Sequence, residues 1–133
     1  MSIVSSTSAA VTHEALANAD CRTLPIARQY LSTPELLVLQ QALPEWEIQS
    51  TDNHNASGAQ LSRRFAFADL ASAMRFANAI ASMADAQDHH PELHLSWGLC
   101  VVTWSTHSAH GLTQRDFICA AKVDDLMHAS QPA

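Results

Sequence analysis

The chain has 133 residues, 47% of them hydrophobic, which is enough apolar material for the core of one globular domain. It carries 7 Lys and Arg against 13 Asp and Glu, and the formal net charge of -6 argues against direct binding to nucleic acid or to an anionic membrane. No run of about 18 apolar residues occurs, and the first 20 residues lack the basic start and compact apolar segment of a secretory signal, so we expect a cytoplasmic protein without a membrane span.

The N-terminal region differs in composition from the rest of the chain. Residues 1–30 are rich in Ala, Ser and Thr and show no clean helical or strand periodicity. We expect a loosely ordered extension or a surface-wrapping arm over residues 1–30, followed by a single domain over residues 31–133.

The first predicted helix lies in "LSTPELLVLQQALPEW". Thr33 has the character of an N-cap, Pro34 suits the first helical position, and Pro44 is expected to stop the helix. Its apolar face is Leu36, Leu39 and Leu43.

A hairpin is predicted next. Trp46 and Ile48 alternate with polar residues, "TDNHNASGA" supplies turn residues, and a second alternation follows. The apolar-side positions of that second strand are Leu61, Arg63, Phe65 and Phe67.

A long second helix begins after Asp69, which has the character of an N-cap. Because Pro91 disfavours helical geometry at His90, this helix should end close to the histidine pair. Its predicted buried stripe is Leu70, Met74, Ala77, Ala81 and Ala84, flanked by Phe76, Ile80 and Met83.

Two further strands and a third helix complete the predicted domain. Leu93, Leu95 and Trp97 alternate, Gly98 marks a turn, and "LCVVTWSTH" has strand composition. In "LTQRDF", Thr113 and Asp116 have capping-box spacing and Leu112 and Phe117 have hydrophobic-staple spacing, with Cys119, Val123 and Leu126 continuing the buried face. The order α-β-β-α-β-β-α predicts an α+β fold with a four-stranded antiparallel sheet and three helices packed on one face.

The three cysteines do not suggest a disulfide framework, because Cys21, Cys100 and Cys119 are widely spaced and odd in number. Cys100 and Cys119 stand in apolar segments and are interpreted as small buried side chains. Cys21 has no readable role.

Asp85 and His89 are four residues apart at the end of the second helix, so a carboxylate could orient an imidazole there. The competing interpretation is an ordinary pair at a helix C-terminus, where the helix dipole favours histidine. His107 follows the predicted fourth strand, and a residue there is normally solvent-facing. Antiparallel return of the chain could nevertheless bring His89, His90 and His107 into one pocket.

Three imidazoles could serve a metal site or acid–base catalysis. An imidazole with a pKa near 6.5 gives or takes a proton at neutral pH. The spacing of "HHP" and the later histidine is not that of a standard metal site, so acid–base catalysis is the preferred hypothesis. Asp116 has a structural role as a helix cap, which is compatible with a place in the site.

The remaining histidines and the tryptophans are assigned no chemistry. Solvated positions are predicted for His13, His54, His94, His110 and His128. Core or interface positions are predicted for Trp46, Trp97 and Trp104.

The stretch "DHHPELHLSWGLCVVTWSTHSAHGLTQRD" resembles the pterin-4a-carbinolamine dehydratases. The resemblance rests on the histidine-histidine-proline signature, the acidic residue four positions before it, the histidine after the fourth strand, and "GLTQRD". It implies removal of water from a 4a-hydroxytetrahydropterin to give quinonoid dihydropterin, as in pterin recycling after aromatic amino acid hydroxylation such as that of phenylalanine. No metal and no redox cofactor is implied, because the pterin is the substrate.

The resemblance also assigns residues. It implies that His89, His90 and His107 are the active-site histidines, with His89 and His107 as the acid–base pair and His90 positioning the pterin. Supporting roles are implied for Asp85, Pro91 and Asp116. Leu93 departs from the aromatic residue that many relatives carry after "HHPE", which would leave one wall of the pocket less aromatic.

Partners and an alternative function follow from the same resemblance. It implies a homodimer or homotetramer, and an aromatic amino acid hydroxylase as the functional partner. Some relatives assist assembly of RuBisCO, and animal members bind a transcription factor. A non-catalytic assembly or co-activator module is therefore the alternative, and the three histidines and both acidic residues favour the enzyme.

Overall fold

The computed structural model describes residues 11–50 and 56–130, and within this part the sheet has four antiparallel strands in the order β1-β2-β4-β3. The strands are β1 (Glu47–Gln49), β2 (Gln60–Ala66), β3 (Glu92–Ser96) and β4 (Leu99–Trp104). The helices are α1 (His13–Asn18), α2 (Thr33–Gln40), α3 (Leu70–Gln87) and α4 (Gln114–Ser130), with 3-10 turns at Cys21–Thr23 and His107–Ala109. The predicted α+β fold with a four-stranded antiparallel sheet is confirmed.

One face of the sheet forms the core together with α3 and α4. Along β4, Cys100, Val102 and Trp104 are fully buried, and Leu61 and Phe65 of β2 lie opposite Trp104 and Cys100. The alternate positions carry the half-buried Val101 and Thr103 and the exposed residues of β3. This two-residue period is the one expected of a sheet covered on one side.

Helix α2 begins one residue earlier than the sequence predicted. Its N-cap is Ser32, not Thr33, because Ser32 and Glu35 form a capping box. The Ser32 hydroxyl accepts from the Glu35 backbone N–H at 3.4 Å, and Glu35 Oε1 accepts from the Ser32 backbone N–H at 3.0 Å. Pro34 occupies the first turn, and the helix ends at Gln40, before the predicted stop at Pro44.

Helix α3 has the predicted N-cap but a rotated buried face. Asp69 Oδ1 accepts from the Ser72 backbone N–H at 2.8 Å. Leu70 and Met74 were predicted to be buried, yet they are 48% and 42% exposed. The buried residues are Ala73, Phe76, Ala77, Ile80 and Ala84. Burying Phe76 and Ile80 removes more apolar area from water than burying alanines. The face of α3 that carries Phe76 and Ile80 therefore packs against the core.

The start of α4 agrees with the sequence. Leu112 and Phe117 are fully buried, and Asp116 Oδ2 accepts from the Thr113 backbone N–H at 2.9 Å. Asp116 is therefore a cap at the mouth of this helix. The predicted buried positions of Cys100 and Cys119 are confirmed, since both are 0% exposed.

The segment from Val11 to Tyr30, called the N-terminal arm below, packs against α4. Leu16 and Cys21 are both 0% exposed, and Lys122 Nζ donates to the Ala17 carbonyl at 2.7 Å. Of the two expectations for residues 11–30, the surface-wrapping arm fits and loose order does not, because the buried Leu16 and Cys21 fix this segment. Residues 1–10 lie outside the described residues.

Within residues 11–50 and 56–130, no helix has both the length and the apolar character needed to cross a membrane.

Candidate active site

The end of α3 aims the histidine pair. Asp88 adopts the left-handed conformation (φ 53°, ψ 42°), and the His89 backbone N–H donates to the Ala84 carbonyl at 3.2 Å. The Asp88 backbone N–H donates to the Asp85 carbonyl at 3.2 Å. These two bonds form a Schellman motif, which ends the helix and turns the chain away from its axis. His89 and His90 therefore leave the helix immediately before Pro91 and β3.

His89 contacts the first turn of α4. Its Nε2 lies 2.6 Å from Asp116 Oδ1, with the histidine side chain 11% exposed and the aspartate fully buried. Asp116 Oδ2 accepts from the Thr106 hydroxyl at 2.7 Å and from the Thr113 backbone N–H at 2.9 Å. A carboxylate can only accept hydrogen bonds, so we assign the proton of the His89–Asp116 contact to His89 Nε2. Its Nδ1 is left for other partners.

Trp104 of β4 stacks on the His89 ring. The ring centroids are 5.5 Å apart and the planes are inclined by 13°. Trp104 is fully buried, and its indole Nε1 has no hydrogen-bond partner among the described residues. The stack and the Asp116 contact together restrict rotation of the imidazole, which is what a group that must exchange a proton at one atom requires.

His90 pairs with Asp85 on the surface. His90 Nε2 lies 3.0 Å from Asp85 Oδ1, and the side chains are 59% and 79% exposed. The predicted contact between Asp85 and His89 is wrong, because the left-handed Asp88 takes His89 off the helical face that Asp85 occupies. Asp85 instead reaches the next histidine along the chain.

His107 lies after β4, in the 3-10 turn His107–Ala109, and is exposed. It borders a cavity of about 290 Å³ lined by Ser57, Gly58, Ala59, Gln60, Ser105, Thr106, His107, His110 and Gly111. Among the described residues its ring has no hydrogen-bond partner, but the preceding Thr106 bonds to Asp116. The structure thus joins His89 to Asp116 and His90 to Asp85, whereas a pocket shared by all three histidines stays a prediction.

Two residues beside His89 were not singled out by the sequence. Thr106 carries no local sequence signal. The sequence predicts a core or interface position for Trp104, and the core position is confirmed, but it does not predict the stacking on His89. Thr106 contacts Asp116 and Trp104 contacts His89 because β4 runs beside the end of α3. Of the remaining histidines, His94, His110 and His128 are exposed as predicted.

His13 departs from its prediction, since its Nε2 lies 3.3 Å from the buried Asp124. His54 lies outside the described residues. Across those residues, no cluster of three or more His, Cys, Asp and Glu side chains is arranged to hold a metal ion.

Comparisons with known proteins identify the family and the fold. The family described as pterin 4 alpha carbinolamine dehydratase matches residues 29–126. The crystal structure of a transcriptional coactivator/pterin dehydratase from Brucella melitensis is 31% identical, covers 74% of this chain and 98% of its own, and superposes with a TM-score of 0.63. A pterin dehydratase-like protein described as a RuBisCO assembly factor in the alpha-carboxysome is 24% identical, covers 62% of this chain and 88% of its own, and shares the fold with a TM-score of 0.51. The chain belongs to the pterin 4 alpha carbinolamine dehydratase family.

Proposed function

We propose that this protein is a dehydratase that removes water from 4a-hydroxytetrahydropterin and gives quinonoid dihydropterin. The observation that carries the proposal is the buried Asp116 carboxylate holding His89 Nε2 at 2.6 Å, which leaves the other ring nitrogen for proton exchange. Membership of the family and the 31% identical pterin dehydratase support it.

The reaction needs one proton donor and one proton acceptor. The bond between carbon 4a and the hydroxyl oxygen breaks, and the oxygen leaves as water after it receives a proton. The adjacent ring nitrogen loses its proton, and its electron pair completes the new carbon–nitrogen double bond. The net change is the loss of one water molecule, so no oxidant or reductant is consumed. Imidazoles suit both transfers at neutral pH.

His89 and His107 are the proposed acid–base pair. His89 exchanges its proton at Nδ1, because Asp116 occupies Nε2. The negative Asp116 also stabilises the positive charge that the ring carries after it accepts a proton. The stacked Trp104 holds the ring plane during the transfer.

His90 has the proposed role of positioning the pterin. Its side chain is 59% exposed and is tied to Asp85, so it presents a polar edge to a ligand outside the core. Pro91 limits the backbone at His90 and fixes the direction in which this side chain leaves the turn.

The biological setting is part of the same proposal. The hydroxypterin is the product of an aromatic amino acid hydroxylase, which makes such an enzyme the functional partner, and the quinonoid product is returned to the reduced cofactor by a reductase. A homodimer or homotetramer in the cytoplasm is the proposed form.

A dehydration assay tests the proposal. The 4a-hydroxypterin is generated in place with an aromatic amino acid hydroxylase, and quinonoid dihydropterin is followed by absorbance. Wild-type protein should accelerate its formation over the spontaneous reaction, and His90→Ala should raise KM. The matched control is His128→Ala, an exposed histidine near the end of α4, which should behave as wild type. No acceleration by wild type would contradict the proposal and favour a non-catalytic module.

A further inference from the structure

Two buried thiols meet where the N-terminal arm crosses α4. Cys21 of the arm and Cys119 of α4 are both 0% exposed, and their sulfur atoms lie 3.7 Å apart although 98 residues separate them in sequence. Both are free thiols in this structure. The pair is therefore a contact between two segments that the chain brings together only through folding.

The two sulfur atoms are in non-bonded contact, and a modest approach would bring them to bonding distance. A sulfur–sulfur bond is about 2.05 Å long, so the two atoms must approach by roughly 1.6 Å. Cys21 lies in the short 3-10 turn Cys21–Thr23, and we expect a shift of that turn, not of the long helix α4, to supply the movement. We propose that Cys21 and Cys119 form a reversible disulfide when the protein meets hydrogen peroxide, and that this bond fastens the N-terminal arm to α4.

The place of Cys21 in the arm and the difference in acidity between the two thiols both favour Cys21 as the sulfur that meets the oxidant. The hydrogen bond from the Cys119 thiol, together with the positive charges of Arg115 and Lys122, lowers the pKa of Cys21. The same contact and burial raise the pKa of Cys119. Since the thiolate is the reactive form, Cys21 is the sulfur that meets the oxidant and Cys119 is the resolving thiol.

The chemistry balances in two steps. The Cys21 thiol loses its proton, its thiolate attacks one oxygen of hydrogen peroxide, the O–O bond breaks, and a sulfenic acid and hydroxide form. The hydroxide takes up the proton that Cys21 released and becomes the first water. Cys119 then attacks the Cys21 sulfur, its proton goes to the leaving oxygen, and the disulfide and a water molecule form. Two thiols are oxidised and one peroxide is reduced to two waters.

Access to the buried pair comes through the arm. The arm is joined to the domain by the two buried side chains Leu16 and Cys21 and by single hydrogen bonds to its backbone, such as Lys122 Nζ to the Ala17 carbonyl. Its opening exposes Cys21 and leaves the helix with Cys119 intact, and its closing returns Cys21 to its partner. Cys100 lies in the core strand β4, where burial raises the pKa of its thiol.

The bond would hold the arm against residues that adjoin the candidate site in sequence. The Cys21 backbone N–H donates to Gln87 Oε1 at 2.8 Å, and the Ser108 hydroxyl donates to the Ala27 carbonyl at 3.1 Å. Arg115 Nη2 donates to the Leu24 carbonyl at 2.9 Å. Gln87, Ser108 and Arg115 are near neighbours in sequence of His89, His107 and Asp116, respectively. The family match begins at residue 29, so most of the N-terminal arm that this disulfide would fasten lies outside the matched residues.

The test uses the full chain and does not depend on enzymatic activity. Reduced protein is treated with graded hydrogen peroxide, and its intact mass, its peptides under non-reducing conditions and its Tm are measured. We expect a mass loss of two hydrogen atoms, one linked peptide containing Cys21 and Cys119, and a rise in Tm of roughly 10 °C that a reductant reverses.

Variants separate this bond from other oxidation. Cys21→Ser should abolish both the linked peptide and the rise in Tm, and so should Cys119→Ala. If Cys119→Ala does not fold, Cys21→Ser carries the comparison alone, because its residue lies in the arm. Cys100→Ala is the matched control and should retain both effects. Thiols that stay free or become sulfinic acids, crosslinks between chains only, or a linked peptide without a rise in Tm would overturn the inference.

Discussion

Asp116 Oδ1 lies 2.6 Å from His89 Nε2, although 27 residues separate the two in sequence. The same carboxylate caps α4 through the Thr113 backbone N–H and accepts from the Thr106 hydroxyl. One buried group thus fixes a helix start, a loop after β4 and a histidine ring. This arrangement links the stability of the fold to the orientation of one member of the proposed acid–base pair.

Replacing Asp116 with Asn tests that link. An amide at this position can present a donor to His89, which would place the ring proton on Nδ1, the atom proposed to exchange it. We expect kcat to fall roughly 100- to 1,000-fold, with a loss of about 1–3 kcal/mol in the free energy of unfolding. Asp85→Asn is the matched control on the exposed pair and should cost less than roughly tenfold in kcat. Equal falls in kcat for the two variants would contradict the assignment.

Asp124 is expected to be a structural carboxylate. It is 5% exposed, and its Oδ1 accepts from Trp46 Nε1 at 2.8 Å and from Arg63 Nη1 at 2.7 Å. Asp124→Ala leaves an indole N–H and a guanidinium unpaired, so we expect urea denaturation to show a loss of about 3 kcal/mol. Asp125→Ala, whose side chain is 59% exposed, should stay within about 0.5 kcal/mol of wild type. A mild effect at Asp124 would show that these contacts contribute little.

Gly111 is expected to tolerate no side chain. A Cβ there would lie 2.7 Å from the Cβ of Tyr30 and 2.9 Å from the Ala56 carbonyl oxygen. Gly111→Ala should therefore lower the free energy of unfolding by about 2–3 kcal/mol. His110→Gly, at the neighbouring position, should instead raise the free energy of unfolding by about 1 kcal/mol, because His110 has a positive φ of 57°. An unchanged denaturation midpoint for Gly111→Ala would show that the arm yields.

The cap at Asp69 gives a pH-dependent prediction. The hydrogen bond from the Ser72 backbone N–H lowers the pKa of Asp69 from its ordinary value of 3.8. A lowered pKa in the folded state contributes stability that is present above pH 3.8 and is lost as the pH falls through the folded-state value. Asp69→Ala should lower the urea midpoint at neutral pH, and its difference from wild type should shrink below that window. A difference that is constant at every pH would contradict this account, and Asp69→Asn should retain part of the cap throughout.

The sequence predicted those parts of the fold that depend on local signals. Asp69 and Asp116 are polar residues three positions from a partner N–H, and β4 is marked by Val101, Val102 and Thr103. Such caps and strands are stabilised by neighbours in the chain, and sequence spacing therefore suffices to find them. The family signature likewise lies in one continuous stretch.

The remaining features depend on contacts between distant segments. The sequence predicted Asp85 as the partner of His89, whereas the structure shows Asp116. The two differ because Asp88 adopts a left-handed conformation, for which a glycine would have been the usual signal in the sequence. The arm appeared loose in sequence because Leu16 and Cys21 are single apolar residues among small and polar ones. Both are buried because the arm packs against α4, a contact that the local sequence does not show.

We propose that His89 and His107 form the acid–base pair, and the turnover of their two alanine variants is the sharpest test of this pairing. Dehydration of enzymatically generated 4a-hydroxypterin is measured for His89→Ala and His107→Ala at saturating substrate, with thermal unfolding as the check on folding. Each variant should show a fall in kcat of roughly 100- to 10,000-fold, with the fold retained. A fall of less than about tenfold in both folded variants would contradict it, because a positioned acid or base contributes more than that.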